Sequence, residues 1–424
     1  MKILVLGATG AIGASVLRAL TDAGHEAIAG SRQRRGPSEG RRIDFADLQS
    51  SAQWDRELVG IDVVVNCVGL ITEEQAGQFD LVHHRVPQAL AASCVRADCA
   101  LIHVSALGSD SRSEAGYWRS KGLGEEALAR QDLHCTILRP SLVFSPQGAS
   151  SQLMMRLATL PLMFIPGAQV PVRPVHVDDV AALVVRLVKM RGDDQAWPRR
   201  IEVAGPRTIS LSHYIALLRQ GMQAPSGWLG SLPFALTQPL ARMTTGLRLP
   251  LLAAEPLSML AASADGRLCP DTPVMNQLLP RPSRDPAHFC TPDMRAGATL
   301  GWGYPALTLV IALLWLSTAY VSWFAWPHAV SQIWLAACGI PAALQEPVLL
   351  GASMLDAAIG IALLVGLVRS ARWLRWLWPL QAALVAAYTL MMSLWLPQFW
   401  AHPFGPLSKN LPLLLLFCVM WRLR

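Results

Sequence analysis

Tyr117 and Lys121 stand four residues apart in the stretch Tyr117-Trp118-Arg119-Ser120-Lys121. On a helix that spacing puts a phenol and an ammonium on one face. A tyrosine with an ordinary pKa of about 10 is a poor base at neutral pH, and a neighbouring cation favours its phenolate. Such a pair can pass a proton to or from a substrate oxygen while hydride moves to or from a nicotinamide. Ser105, closing the apolar run Ala100–Ser105, is placed to hydrogen-bond the reacting carbonyl or hydroxyl. Tyr-x-x-x-Lys arises by chance in many helices. Its weight comes from its position after Ser105 and downstream of a glycine motif.

That motif is Gly7-Ala8-Thr9-Gly10-Ala11-Ile12-Gly13, after an apolar run at residues 2–6 and before a helical pattern through Val16, Leu17 and Leu20. The order predicts a buried parallel strand, a tight turn and a helix. Gly7 allows the turn, Gly10 lets backbone approach a pyrophosphate, and Gly13 lets the helix pack closely on the strand. Thr9, Ala11 and Ile12 fill the loop and the first helical turn, whose free N–H groups suit phosphate. A glycine-rich turn without a ligand is the plainer alternative; strand, triplet and helix in this order favour a dinucleotide.

A second strand over Glu26–Gly30 would end on an acid in an NAD site. Here the chain reads Gly30-Ser31-Arg32, with Arg34 and Arg35 beyond. A guanidinium suits a 2′-phosphate, so NADP(H) is favoured over NAD(H), at least one of these arginines belonging to a solvated loop. Asp44 sits where a loop could reach the adenine. Further strands are expected at residues 62–69, 100–105 and 135–138, and helices at 87–95 and 121–130. The alternation predicts an α/β doubly wound parallel sheet, a Rossmann arrangement.

GATGAIG, HVSALG, YWRSK, LRPSLVF and PVHVDDVA together resemble the atypical extended short-chain dehydrogenases/reductases over about the first 220 residues. Within that group the chain is similar to relatives of the nucleotide-binding accessory subunit of respiratory complex I. The resemblance implies Tyr117 as acid/base, Lys121 as ribose ligand and modulator of the tyrosine, and Ser105 as substrate-orienting hydroxyl. It also implies structural roles for Asp178 and Asp179, expected to cap the following helix. In one departure, Ser105 is followed by Ala106-Leu107-Gly108, where better-known epimerase and dehydratase relatives carry further hydroxyls. Some members of the group hold NADPH without turning anything over.

The rest of the chain has a different composition. Of 424 residues 52% are hydrophobic and 15% charged, and the skew is local. From Pro305 onward the acids are Glu346 and Asp356 and the bases Arg369, Arg372, Arg375, Lys409, Arg422 and Arg424. Apolar spans are expected at about 305–326, 347–368, 376–395 and 407–423, the first three long enough to cross a bilayer and the fourth spanning with some mismatch, with tryptophans at their ends. This part resembles the DoxX-like four-helix membrane family, HPFGPLSKNLP at 402–412 included. The arginine loop places the N-terminal domain and the C-terminus on the cytoplasmic side of a bacterial inner membrane. Asp356 lies inside the second span, as a proton or quinone group or as an interhelical hydrogen bond. Residues 224–304 form either a substrate subdomain or a membrane-proximal linker between the domain at 1–223 and that at 305–424.

A net charge of +7 raises nucleic acid as a partner, but the bases are scattered and no aromatic-interleaved stripe occurs. Anionic lipid is the better partner for that charge. The eight cysteines have no Cys-x-x-Cys or metal-ligand spacing and read as buried thiols in a reducing compartment. The apolar start runs straight into a glycine turn and reads as a strand rather than a signal peptide. Two functions fit. One is a membrane-anchored NADP(H)-dependent oxidoreductase acting on a lipophilic carbonyl, alcohol or quinone. The other is a non-catalytic NADP(H)-binding accessory or assembly protein of a membrane complex.

Overall fold

The computed structural model describes residues 1–32, 40–232, 263, 266, 269–369, 372–403 and 405–423. Arg34 and Arg35, and much of 224–304, lie outside the described residues. The chain divides into two compact units, Met1–Ala298 and Thr299–Arg424.

In the first unit, seven strands form one sheet. They are β1 (Lys2–Leu6), β2 (Glu26–Ser31), β3 (Gly40–Arg42), β4 (Val63–Asn66), β5 (Ala100–Val104), β6 (Cys135–Pro140) and β11 (Arg200–Val203). Their order is β11-β6-β5-β4-β1-β2-β3, and every pair is parallel. Such a sheet is covered on both faces, which is why the central strands read as continuous apolar runs. Alternate residues nevertheless go to opposite sides. Ile3, Val5, Val63, Val65, Ile102 and Val104 pack on one core. Leu4, Leu6, Val64 and Leu101 pack on another with Trp54 and Leu90. The first core takes in α1 (Ala11–Asp22) and α7 (Val177–Gly192). The second takes in α2 (Ser51–Glu57) and α4 (Val86–Arg96).

Strand order reverses at β1, which pairs with β2 on one side and β4 on the other. A doubly wound sheet opens its ligand crevice at such a point, outside the carboxyl ends of the strands. The glycine loop ends β1 there, and Cys67–Gly69 ends β4.

A smaller apolar cluster lies beyond the sheet, built on Phe144, Met155, Met163, Tyr214, Leu218 and Phe289. It gathers α6 (Ala149–Thr159), α8 (Leu211–Gly221) and the paired strands β8 (Leu162–Pro166) and β13 (Trp228–Leu232). Phe289 and Cys290 show that the late segment returns to this unit.

Asp178 and Asp179 are structural, though not as caps. The ring of His176 caps α7, its Nδ1 accepting from the Asp178 N–H at 3.2 Å. Asp178 instead meets Arg284 at 3.1 Å and Asp179 meets Arg281 at 2.9 Å. The Arg284 N–H also donates to Asp179 Oδ2 at 2.8 Å. The carboxylates lace residues 281–284 to the helix start, where the dipole also favours them.

The second unit is helical. α10 (Met294–Tyr320), which begins in the first unit, is prolonged by a π-helical turn to Ala325. α11 (His328–Ala337) follows, between the first two expected spans. Then come α12 (Ala342–Arg369), α13 (Leu374–Trp395) and α14 (Asn410–Arg422). The stretch Met294–Ala325, α12 and α13 are long and apolar enough to cross a membrane, and their 32, 28 and 22 residues exceed the expected spans. Pro305 and Pro347 fall inside helices rather than opening them. α14 has 13 residues. At about 1.5 Å per residue it is roughly 20 Å long, short of a 30 Å hydrocarbon core.

Leu313, Phe324, Ile361, Leu394 and Leu415 point outward, as lipid-facing side chains do. Trp315, Leu363, Trp378 and Phe417 fill the interior. Polar side chains join the helices: Trp315 Nε1 donates to Gln381 Oε1 at 2.7 Å, and Asn410 Nδ2 to Thr389 Oγ1 at 2.8 Å. The Thr318 hydroxyl on α10 donates to the Trp315 carbonyl at 2.8 Å, and the buried Asp356 Oδ1 has no hydrogen-bond partner among the described residues.

One backbone contact tests the first unit. A Cβ on Gly13 would stand 2.2 Å from the Gly7 carbonyl oxygen. Gly13→Ala is therefore expected to cost about 1–3 kcal/mol through strain. It should lower Tm by several degrees and weaken nucleotide binding, both measured by thermal unfolding with and without NADPH.

Candidate active site

The glycine loop has the geometry a dinucleotide needs. Gly7 turns with φ +72°, and a Cβ there would stand 3.1 Å from the Cys67 backbone. The Gly10 N–H donates to the Gly7 carbonyl at 2.9 Å, and no side chain caps α1. The first N–H groups of α1 are therefore free for an anion. Thr9 and Gly10 are exposed, while Ala11 and Ile12 are half-buried. These residues fit an NAD(P) pyrophosphate. Ser31 ends β2 and Arg32 follows it exposed, one strand away from Gly7. Asp44 spends one carboxylate oxygen on the Ala46 N–H at 3.0 Å, making an Asx turn beyond β3.

Tyr117 and Lys121 lie on α5 (Gly116–Ala129), with Lys121 buried. The Lys121 Nζ is 5.5 Å from the centre of the Tyr117 ring and donates to the Val104 carbonyl at 3.2 Å. Burial pulls the lysine down to about 8, against the attraction of Glu125 and Cys67. Burial also pushes the Tyr117 phenol above its ordinary 10. Desolvation therefore outweighs the cation, and the tyrosine rests as a phenol rather than the phenolate expected from the spacing.

Ser105 points elsewhere. Its hydroxyl donates to Glu125 Oε1 at 2.5 Å and meets Ser109 Oγ at 3.1 Å, buried at 3% exposure. Glu125 is held in turn by Arg139, whose Nε lies 2.9 Å from Oε2. The structure thus joins Tyr117 to Lys121, and Ser105 to a buried Glu125–Arg139 pair on the next turn of α5.

Several neighbours escape the sequence reading. His83, from the π-helical turn Leu81–Arg85, packs edge-on to Tyr117 with ring centres 5.6 Å apart. Burial, then Lys121 and His103, pull it down to about 2. His103 of β5 accepts from the Asn66 side-chain amide at 3.2 Å, and burial followed by Lys121 pulls it to about 3. Two neutral imidazoles therefore flank one buried amine. Two helix-interior glycines were the available signal. A Cβ on Gly122 would stand 2.2 Å from the Ser111 nitrogen, and one on Gly124 1.9 Å from the His83 oxygen. Each glycine inside the helix marks a side where another backbone must come close, and two positions apart they serve opposite sides of α5.

Residues 3–204 match the NAD dependent epimerase/dehydratase family and residues 312–418 the DoxX-like family. An epimerase-type NAD(P)-binding Rossmann domain precedes a DoxX-like domain. The epimerase-type domain is similar to the 40 kDa subunit of NADH-ubiquinone oxidoreductase from Neurospora crassa, 29% identical over 40% of this chain and 44% of that one. It is also similar to a ceramide reductase from Caulobacter vibrioides, 27% identical over 43% of this chain and 59% of that one. The chain thus spans about half the length of the curated relatives it matches. Its fold is that of a nucleoside-diphosphate-sugar epimerase from Staphylococcus aureus, with TM-score 0.55, 17% identity and 70% and 100% of the two chains covered. A UDP-glucuronic acid 4-epimerase from Bacillus cereus in complex with NAD superposes with TM-score 0.51 and 17% identity, over 70% and 100% of the two chains.

The low lysine value has a measurable consequence. The folded pKa of about 8 lies below the ordinary 10.5, so between these values the unfolded chain binds the proton and the folded one does not. Stability then rises with pH through that window. Relative to Lys121→Met, the wild type should gain on the order of 3 kcal/mol from pH 8 to 10.5. Paired Tm measurements across that range check it.

Proposed function

We propose that this chain is a membrane-anchored, NADP(H)-dependent reductase of a lipophilic carbonyl or quinone. Tyr117 is its proton donor and Lys121 its ribose-binding residue. The observation that carries this reading is the pairing of a phenol held protonated with a buried amine beside the crevice, in a chain with bilayer-length helices. A phenol whose pKa stands above 10 carries its proton at neutral pH, the form that reduction of a carbonyl needs. NADPH, when bound in the glycine cradle, supplies the hydride. Tyr117 gives its hydroxyl proton to the substrate oxygen as the alcohol or quinol forms, and is reprotonated from solvent. Lys121 holds ribose hydroxyls and steadies the transient phenolate.

Arg32 is assigned to the 2′-phosphate, which favours NADP(H) over NAD(H), and Asp44 to the adenine side. The Caulobacter relative's name supports a lipid carbonyl as substrate class. Tethering to the bilayer raises the effective concentration of such a substrate at the site. Four crossings, α14 included, with Arg369, Arg372 and Arg375 inside, would leave the Rossmann domain and the C-terminus cytoplasmic in a bacterial inner membrane.

A second reading has its own support. Ser105 is engaged by Glu125 rather than free for a substrate, and one relative is a complex I subunit. On that reading the chain is an NADP(H)-holding accessory or assembly protein of a membrane complex.

NADPH oxidation by the purified protein against quinones and lipid aldehydes separates the two. Tyr117→Phe is expected to lower kcat at least about 100-fold, the usual share of a general acid, with NADPH affinity nearly unchanged. Undiminished turnover in that variant removes the reductase assignment. Arg32→Ala is expected to weaken NADPH about tenfold and NADH little, by fluorescence titration, since one charge-assisted contact is worth about 1.5 kcal/mol.

A further inference from the structure

We infer that His83 is a positioning residue for this site, a neutral two-ended clamp that sets the reach of Tyr117 toward the cofactor crevice; the inference rests on the reductase reading. The imidazole is 1% exposed. Its Nε2 accepts the Leu70 N–H at 3.1 Å. An accepting Nε2 puts the ring proton on Nδ1, which then donates to Ser120 Oγ at 2.8 Å. The Ser120 hydroxyl donates in turn to the Tyr117 carbonyl at 3.0 Å. One ring therefore ties the loop after β4 to the turn of α5 that carries Tyr117 and Lys121.

The packing around the ring leaves it no freedom. Phe79 stacks on one side, with centroids 5.4 Å apart and planes 21° from parallel. Tyr117 meets it at 90°. A Cβ on Gly69 would stand 3.6 Å from Lys121 Nζ and 3.7 Å from His83 Nε2, so loop backbone, amine and imidazole converge on one point. Protonation would set a second cation beside Lys121 and break the Leu70 contact. The charged or titratable groups facing His83 are Lys121 and Tyr117 from α5 and His103 from β5. Burial and Lys121 hold the ring neutral at working pH.

His83 sits in a π-helical turn, a local insertion found often at functional sites. The carbonyl of the same residue lies against Gly124, so α5 is held at its backbone as well as at Ser120. A displacement of about 1 Å between catalytic group and substrate can cost 100-fold in rate. The clamp governs kcat, while the glycine cradle and Arg32, which lie away from α5, carry most of the binding of NADPH.

The test uses the full chain in detergent, with NADPH and two probe acceptors, hexadecanal and decylubiquinone. His83→Phe keeps the ring stack and loses both hydrogen bonds. It should lower kcat about 30- to 100-fold, with KM for NADPH within threefold. His83→Gln, whose amide oxygen can still accept from Leu70, should recover at least fivefold. The wild-type kcat profile should show no limb between pH 5.5 and 7.5. A kcat for His83→Phe within threefold of wild type, in a protein that Tyr117→Phe inactivates, overturns the clamp while the reductase reading stands. A limb near pH 6.5 that His83→Phe removes overturns it too, by making His83 a proton carrier. If neither acceptor is reduced, the reductase reading fails and hydrogen exchange decides the clamp. Faster exchange of the Leu70 amide in His83→Phe, restored in His83→Gln, then supports it, and unchanged exchange overturns it.

Discussion

Everything at the nucleotide site depends on α1 lying against the turn after β1. The space between the Gly13 α-carbon and the Gly7 carbonyl is too small for one methyl group. That closeness aims the uncapped end of α1 at the loop and fixes where an anion can bind. It also fixes the neighbouring loop, because Gly7 backs onto Cys67 and Cys67 begins the segment that His83 holds. From Gly13 to Tyr117 the site is one chain of close backbone approaches. Gly7, Gly13, Gly122 and Gly124 each stand where a Cβ would press on another stretch of backbone.

Much of this was legible in the sequence because local rules suffice for it. The apolar runs of β1, β4 and β5 can be read without tertiary information, since strands buried on both faces need no polar partner. Gly7, Gly10 and Gly13 can be read because each answers a backbone requirement. Tyr117 and Lys121 follow from helical spacing read together with their place after Ser105 and the glycine motif. The protonation of Tyr117 was not legible. Spacing reports the nearby cation but not the depth of burial, and burial is the larger effect here. The hydrogen bond that takes Ser105 toward Glu125 depends on Arg139, fourteen residues further on and on another strand.

The helical unit was legible in kind and less so in extent. Pro305 and Pro347 look like starts, yet each lies within a helix. Pro347 falls in the second turn of α12, where few backbone donors are lost. Pro305 lies deeper, and α10 runs through it from Met294. The same blindness to tertiary context explains Asp178 and Asp179. Acids at a helix start suggest capping, but the preceding histidine does that work and the acids reach Arg281 and Arg284. Those arginines lie about a hundred residues away in sequence, beyond any local pattern.

The layout along the chain also sets an order of synthesis. All seven strands of the sheet lie between Lys2 and Val203, and the first bilayer-length helix begins at Met294. Domains generally fold as they emerge, the N-terminal one first. The nucleotide-binding sheet can therefore close before any apolar helix engages the insertion machinery. The last residues of the smaller cluster, Phe289, Cys290 and Ala298, emerge around the start of that helix, Ala298 within it. Completion of the first unit and emergence of the first apolar helix thus overlap, and a nascent chain slow in the first exposes its hydrophobic tail before that core is finished.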